Sequence, residues 1–263
     1  MTIAAIDFGR LYSEHLAAAA RKPKPASEWD SRASEMKYKS MQNVYVDQFV
    51  SHMNLTGSST LLDIGCGPGT ICLAVANRLK RVIGLDYSLG MLDALMKNAA
   101  DCQLNNVEAL HLSWEDDWSE VPECDIVVAS RSTTVQDMAT ALAKLNAKAR
   151  QRVYLTHLVG GRFVDPAVIQ VLGRKLPPLP DYIYIINILH GMGIHPRLDY
   201  IENESRLAGT ANFDEFISRV AWSLGDLTTD ERARLRAWYE NTAPGHNAIG
   251  PTMRWALVSW DKS

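Results

Sequence analysis

Ten residues constrain this chain more than any others: Leu61-Leu62-Asp63-Ile64-Gly65-Cys66-Gly67-Pro68-Gly69-Thr70. Leu-Leu-Asp-Ile predicts the end of a buried parallel strand, and three glycines at alternate positions predict a sharp backbone turn. Residues 71–80 then predict a helix, with Ile71, Val75 and Leu79 on one face. Glycine lets the main chain approach a ligand closely and take dihedrals that a side chain forbids. The new helix offers that ligand unpaired N–H groups and the positive end of its dipole.

Many nucleotide-binding folds use such a turn, so its details decide. Thr70 follows the glycines at 65, 67 and 69, and the third glycine of the dinucleotide pattern G-x-G-x-x-G is missing. Asp63 stands two residues ahead of the first glycine, where an acid would repel a pyrophosphate. Val82-Ile83-Gly84-Leu85-Asp86 predicts a second strand ending in a carboxylate that can accept from both hydroxyls of a ribose. Together these residues resemble the S-adenosylmethionine (SAM)-dependent methyltransferases of the Rossmann-like class. The resemblance runs from about Trp29 to the end and is densest over residues 61–131. It implies an α/β fold: a Rossmann-like seven-stranded, mostly parallel sheet with helices on both faces, the last strand antiparallel, and an N-terminal helical arm. Residues 1–54 would form that arm as a lid, and 55–263 the SAM-binding domain, with a variable acceptor-side segment at 160–196.

The resemblance also implies site residues. In the family the glycine turn holds the methionine part of SAM, here through Asp63, Gly65, Cys66 and Gly67. The acid that ends strand two, Asp86, would hold the ribose, with Tyr87 and Met91 flanking the adenine, although both also suit a core. After a third strand at 107–112 the family shows an acid, a small residue and another acid. Ser113-Trp114-Glu115-Asp116 departs from this, which leaves the adenine to the Ser113 hydroxyl, the Trp114 main chain or Glu115. A fourth strand at 125–130 ends in Ser130-Arg131-Ser132, where ligands of open parallel sheets bind. Ser130 is therefore counted with the cofactor. Arg131 is either a planar grip for an acceptor carboxylate or phosphate, or part of a surface ion pair.

On the acceptor side the residues speak less clearly. A helix is expected over 7–22, stopped by Pro23-Lys24-Pro25, then a short one capped by Ser27 and a longer one over 36–53. Trp29 is the arm residue expected to fold over the site, or simply to anchor the arm. A helix at 135–149 and a strand at 152–159 lead into the proline-rich segment, whose apolar run at 182–189 reads as a helix. Arg131, His157, Tyr184 and Trp29 are the expected pocket walls. His157, His190, His195 and Tyr184 are candidate proton acceptors; His157, near the end of strand five, is the best placed, and no residue is assigned as catalytic. A strand at 198–203, helices at 212–224 and 229–239, a turn at Pro244-Gly245 and a strand at 252–260 complete the expected chain. The second of those helices opens on the capping box Thr228-x-x-Glu231.

Composition excludes several alternatives. At 263 residues with 47% hydrophobic and 22% charged side chains, the chain suits a soluble enzyme with one full core. A formal charge of −3 supplies no global pull toward nucleic acid or anionic membrane. No apolar run approaches a membrane span, and the four cysteines form no disulfide framework, so reduced thiols in the cytoplasm are expected. His190 and His195 do not have metal-ligand spacing, and no metal is expected. The Asn/Asp-Pro-Pro-aromatic motif of enzymes that methylate base or glutamine amino groups is absent after strand four. Three readings follow: a methyltransferase with a small-molecule acceptor, one acting on RNA or protein, and a catalytically silent SAM-binding protein. Nucleic acid is not the expected partner, and a homodimer stays open.

Overall fold

The computed structural model describes residues 2–19, 23–38, 42–242 and 252–262. Its centre is a seven-stranded sheet in the order β3-β2-β1-β4-β5-β7-β6. The strands are β1 (Thr60–Ile64), β2 (Arg81–Asp86), β3 (Val107–His111), β4 (Cys124–Ala129), β5 (Ala149–Leu158), β6 (Arg197–Asn203) and β7 (Met253–Asp261). β7 lies between β5 and β6 and runs antiparallel to both, so the last strand alone is reversed. The first two strands are almost fully buried, which matches their unbroken apolar sequences. Side chains alternate between the two faces: Leu61 and Val82 enter one core, Leu62, Ile64, Ile83 and Leu85 the other. Strand order reverses between β1 and β4, which leaves a crevice at their carboxyl ends.

Helices cover both faces. On one lie α3 (Val44–His52), α4 (Cys72–Val75) and α5 (Leu89–Asp101). On the other lie α1 (Phe8–Ala18), α6 (Met138–Lys148) and α8 (Tyr182–Gly191), and here the apolar run at 182–189 is helical as expected. Asp7, Asn43, Ser88 and Asp137 start α1, α3, α5 and α6 by accepting a backbone N–H two or three residues into the helix. A separate apolar cluster joins α7 (Pro166–Leu172), α9 (Phe213–Leu224) and α10 (Thr229–Thr242) into a cap. Thr228 and Glu231 form the expected capping box in both directions, at 2.9 and 3.2 Å. Glu231 also takes two bonds from Arg174, at 2.6 and 2.8 Å, which ties α10 to the segment after α7.

Several boundaries differ from expectation. The helix expected over 71–80 is only Cys72–Val75, followed by a tighter turn over Ala76–Arg78. Asn106 secures the tighter turn: its amide donates to the carbonyls of Ala76 and Leu79 at 2.9 and 2.8 Å. α1 ends at Ala18 rather than at 22, and α3 covers only the second half of the helix expected over 36–53. Residues 20–22 and 39–41, and the turn expected at Pro244-Gly245, lie outside the described residues. Among the described residues no helix is long and apolar enough to cross a membrane.

Candidate active site

β1 and β2 pair in register from Thr60↔Arg81 to Ile64↔Leu85, so the turn after β1 and the acid that ends β2 emerge side by side. Gly65, Gly67 and Gly69 all take positive φ, at 65°, 54° and 93°. The Gly65 and Cys66 amides both donate to the Leu85 carbonyl, at 2.7 and 3.1 Å, which locks the turn onto β2. Its glycines differ in what surrounds them. A Cβ at Gly65 would strike Ser132 Cβ at 2.4 Å, whereas one at Gly67 would meet nothing nearer than Met91 Sδ at 4.0 Å. Gly67 therefore presents bare main chain to open space. Cys66 turns inward against Gly84, and burial pushes its thiol well above the ordinary range.

Two carboxylates flank the turn. Asp86 accepts from the Gly67 amide and from the Ser88 amide, both at 2.9 Å. Asp63 is 2% exposed; one oxygen accepts from the Cys72 amide at 3.2 Å and the other, Oδ1, is buried with no partner. Burial raises Asp63 to about 7, and it raises Asp86 as well. An orphaned carboxylate oxygen is costly in a closed site, and a cationic or hydrogen-bonding ligand would relieve it.

The arm lies directly over this edge. In α2 (Ala26–Ala33) Asp30 accepts from the Ser88 hydroxyl at 2.6 Å and from the Gly90 amide at 2.9 Å. The Tyr87 hydroxyl donates to the Lys24 carbonyl at 3.0 Å, and burial, then Asp86, pushes that phenol up to about 12. Met91 is buried beneath. Asn98 of α5 donates to the carbonyls of Pro68 and Met36 at 3.0 and 3.1 Å, which joins the glycine turn to the arm. Trp29 packs edge-on against Trp222 of α9 at 5.2 Å, so α2 bridges the β2 edge and the cap.

Beyond β3 the Ser113 hydroxyl accepts from the Glu115 amide at 3.2 Å, while Glu115 itself is exposed. The Trp114 indole donates to the Ser132 carbonyl at 3.0 Å, and the Ser132 hydroxyl donates to the Ile64 carbonyl at 2.6 Å. Ser132 thus ties the ends of β1, β3 and β4 together. At the end of β4, Ser130 bonds the Tyr45 hydroxyl at 2.8 Å, which also reaches Thr156 at 2.7 Å. Arg131 takes a positive φ of 57° and holds its guanidinium 4.3 Å over the Tyr45 ring.

The remaining expected residues lie deeper. His157 is 4% exposed, with Nε2 3.0 Å from the Pro180 carbonyl and Nδ1 2.8 Å from the Thr133 hydroxyl. A carbonyl only accepts, so Nε2 carries the hydrogen; burial lowers the ring's pKa and keeps it neutral. The Thr133 hydroxyl also lies 2.8 Å from the Thr156 carbonyl, and its one hydrogen serves either that oxygen or Nδ1. Tyr184 bonds His15 Nδ1 at 3.0 Å and stands edge-on to Tyr12, fastening α1 to α8. His190, in the last turn of α8, and His195, beyond it, have ring centroids 5.6 Å apart with the rings tilted by 57°. The structure brings the glycine turn, Asp86, Tyr87 and Met91 together, but it separates Trp29, beside α9, from Tyr184, beside α1.

A cavity of about 450 Å³ opens between the arm, the segment after β5 and α9. Lys24, Arg162, Phe163, Leu179, Trp222 and Ser223 are among its walls; His157 and Tyr184 are not. Phe163 leads back toward β4 through Trp255 and Tyr45, with ring centroids 6.1 Å apart at each step.

The sequence pattern of a methyltransferase domain matches residues 61–151, from β1 into β5. The chain belongs to the Rossmann-like SAM-dependent methyltransferases. An uncharacterized protein of Haemophilus influenzae is 37% identical over 264 residues, spanning 99% of this methyltransferase and 98% of its own length. An uncharacterized RNA methyltransferase of Halalkalibacterium halodurans is 28% identical over 167 residues, which are 61% of this chain and 34% of that protein. Among solved structures, coclaurine N-methyltransferase bound to N-methylheliamine and SAH matches at a TM-score of 0.53 and 13% identity, over 99% of this chain and 96% of that one. That likeness is one of fold. SAM is the cofactor of this methyltransferase.

Proposed function

We propose that this enzyme transfers the methyl group of SAM to a small molecule bound in the cavity beneath the arm. The carrying observation is the cavity between the arm, the segment after β5 and α9. Arm and cap meet at Trp29 and Trp222 beside a half-open cavity of about 450 Å³, the size of a small-ligand pocket rather than a nucleic-acid groove. The arm is then the lid, and the segment after β5 supplies the wall opposite it.

The turn fits the cofactor on two counts: Gly67 faces open space that a side chain would enter, and Asp63 Oδ1 is a buried acceptor without a donor. In this reading Asp63, Gly65, the Cys66 main chain and Gly67 hold the methionine part, Asp86 holds the ribose, and Tyr87 and Met91 flank the adenine. Adenine contacts from the Ser113–Glu115 turn, and Ser130 near the reacting end, complete the set. Bound there, SAM supplies a methyl group on a sulfonium: the acceptor's lone pair forms the new bond to carbon, and the carbon–sulfur pair stays with sulfur as a neutral thioether. The protein's share is alignment and exclusion of water. His157 is buried and does not line the cavity, so this reading gives it no part in taking a proton from the acceptor.

A second reading, an RNA acceptor, draws on the Halalkalibacterium relative. Incubating the protein with methyl-labelled SAM and a fractionated cell extract separates the two. Label in the low-molecular-weight pool is expected; label confined to RNA or protein would overturn the proposal.

A further inference from the structure

The cavity's walls carry a charge pattern that methyl transfer alone does not require. Phe163, Leu179 and Trp222 give it ring-sized apolar surfaces. Two cations, Lys24 and Arg162, line the cavity, and two more, Arg32 and Arg206, lie against its rings. Lys24 and Arg32 lie 3.9 and 4.3 Å from the Trp222 ring, Arg206 lies 4.7 Å from the Phe163 ring, and Arg162 is in the wall itself. Glu28 also lines the cavity but pairs with Lys24, and Asp165, just beyond Val164, is spent on the Ala167 amide at 2.7 Å as the cap of α7. Arg162 donates to the Leu176 carbonyl at 3.0 Å and has no carboxylate in ion-pair reach among the described residues. Ser223 lines the same space, and its hydroxyl is shut off from solvent without a hydrogen-bond partner.

We infer that the acceptor is an apolar, ring-bearing acid, its ring against Phe163, Leu179 and Trp222 and its carboxylate toward Arg162. The inference rests on reading this cavity as the acceptor site. Arginine suits the task because its planar fork meets a carboxylate with two parallel bonds. Trp222 and Phe163, each already facing cations, add edge and face contacts to a ring. Arg162 is exposed, so its preference for an anion is moderated by water.

The test uses the full chain saturated with S-adenosylhomocysteine (SAH) and two probes of one shape, naphthoate and naphthamide, titrated by calorimetry. Naphthoate should bind one to one, about fivefold more tightly than the amide, the size of a partly hydrated arginine–carboxylate pair. Arg162→Gln should level the two and Arg162→Glu should reverse them; both changes lie at an exposed position. Equal binding of the two probes, no binding of either to a chain that binds SAH, or a preference that survives Arg162→Gln would overturn the inference. If SAH fails to bind but the naphthoate preference persists, the cavity's selectivity stands and the cofactor assignment falls.

Discussion

Replacing Asp63 with asparagine removes a buried charge while keeping the side chain's shape, and the structure fixes the pH dependence that should follow. Burial raises the Asp63 carboxyl from 3.8 to about 7; the Cys72 contacts pull the other way and Asp86 adds to the rise. The folded chain therefore holds this proton more tightly than the unfolded chain. The stabilising contribution is full below the unfolded value, shrinks as pH climbs through the interval to about 7, and is gone above it. Linkage between these two values puts the penalty at roughly 2 kcal/mol at pH 5 and roughly 4 kcal/mol at pH 8, a loss on the order of 2–3 kcal/mol. For a chain of this size that is roughly 5–10 °C in Tm. The asparagine amide leaves its own donors unsatisfied, a cost of about 1–3 kcal/mol that does not vary with pH. The assay is accordingly the difference between two pH profiles, measured by calorimetry without ligand. Between about pH 5 and pH 8 the wild-type protein should lose several degrees relative to Asp63→Asn, since groups that titrate in both proteins cancel. Parallel profiles would refute the reasoning and mean that Asp63 is solvated or paired at neutral pH.

The glycines of the turn should separate fold from ligand. Gly65→Ala places a Cβ 2.4 Å from Ser132 Cβ at a positive φ, and should cost about 1–3 kcal/mol in chemical denaturation besides weakening SAH. Gly67→Ala has room for its Cβ, so it should cost about 1 kcal/mol or less in stability yet weaken SAH in calorimetry at least as much; a variant that binds SAH normally would remove Gly67 from the site. Gly90→Ala sets a Cβ 2.8 Å from Asp30 Cα and should lift α2 off α5. Limited proteolysis should then cut the arm faster while the thermal melt of the sheet changes little; unchanged cleavage would show that Asp30 does not pin the arm.

Much of the fold was legible because its signals are local. A buried strand, a glycine turn and a strand ending in an acid each announce themselves within ten residues, and the β1–β2 register then places Gly67 beside Asp86 without further help. The capping box at Thr228 and the helix at 182–189 were readable for the same reason. Helix ends were less so. The tighter turn after Val75 is held by Asn106, thirty residues beyond Ala76 in sequence, whose side chain bonds the Ala76 and Leu79 carbonyls.

The acceptor side was hard to read because its contacts join distant segments and leave no periodicity behind. Asp30 meets Ser88 across 58 positions and Tyr45 meets Ser130 across 85. Trp29 finds Trp222 on a helix that by pattern alone is merely amphipathic. A tryptophan ahead of the cofactor strand suggests an arm residue near the site, but nothing in its neighbours says which wall it will touch. His157 shows the converse. Its place at the end of β5 suggests access to the acceptor, yet the ring is buried against Thr133 and the Pro180 carbonyl, each more than twenty residues away. In an open parallel sheet the strands fix where a ligand edge must be. Which side chains reach it depends on how the crossover segments fold back, and in this chain Ser132, Asn98 and Asp30 make those ties with single hydrogen-bonding groups that no sequence pattern distinguishes from surface residues.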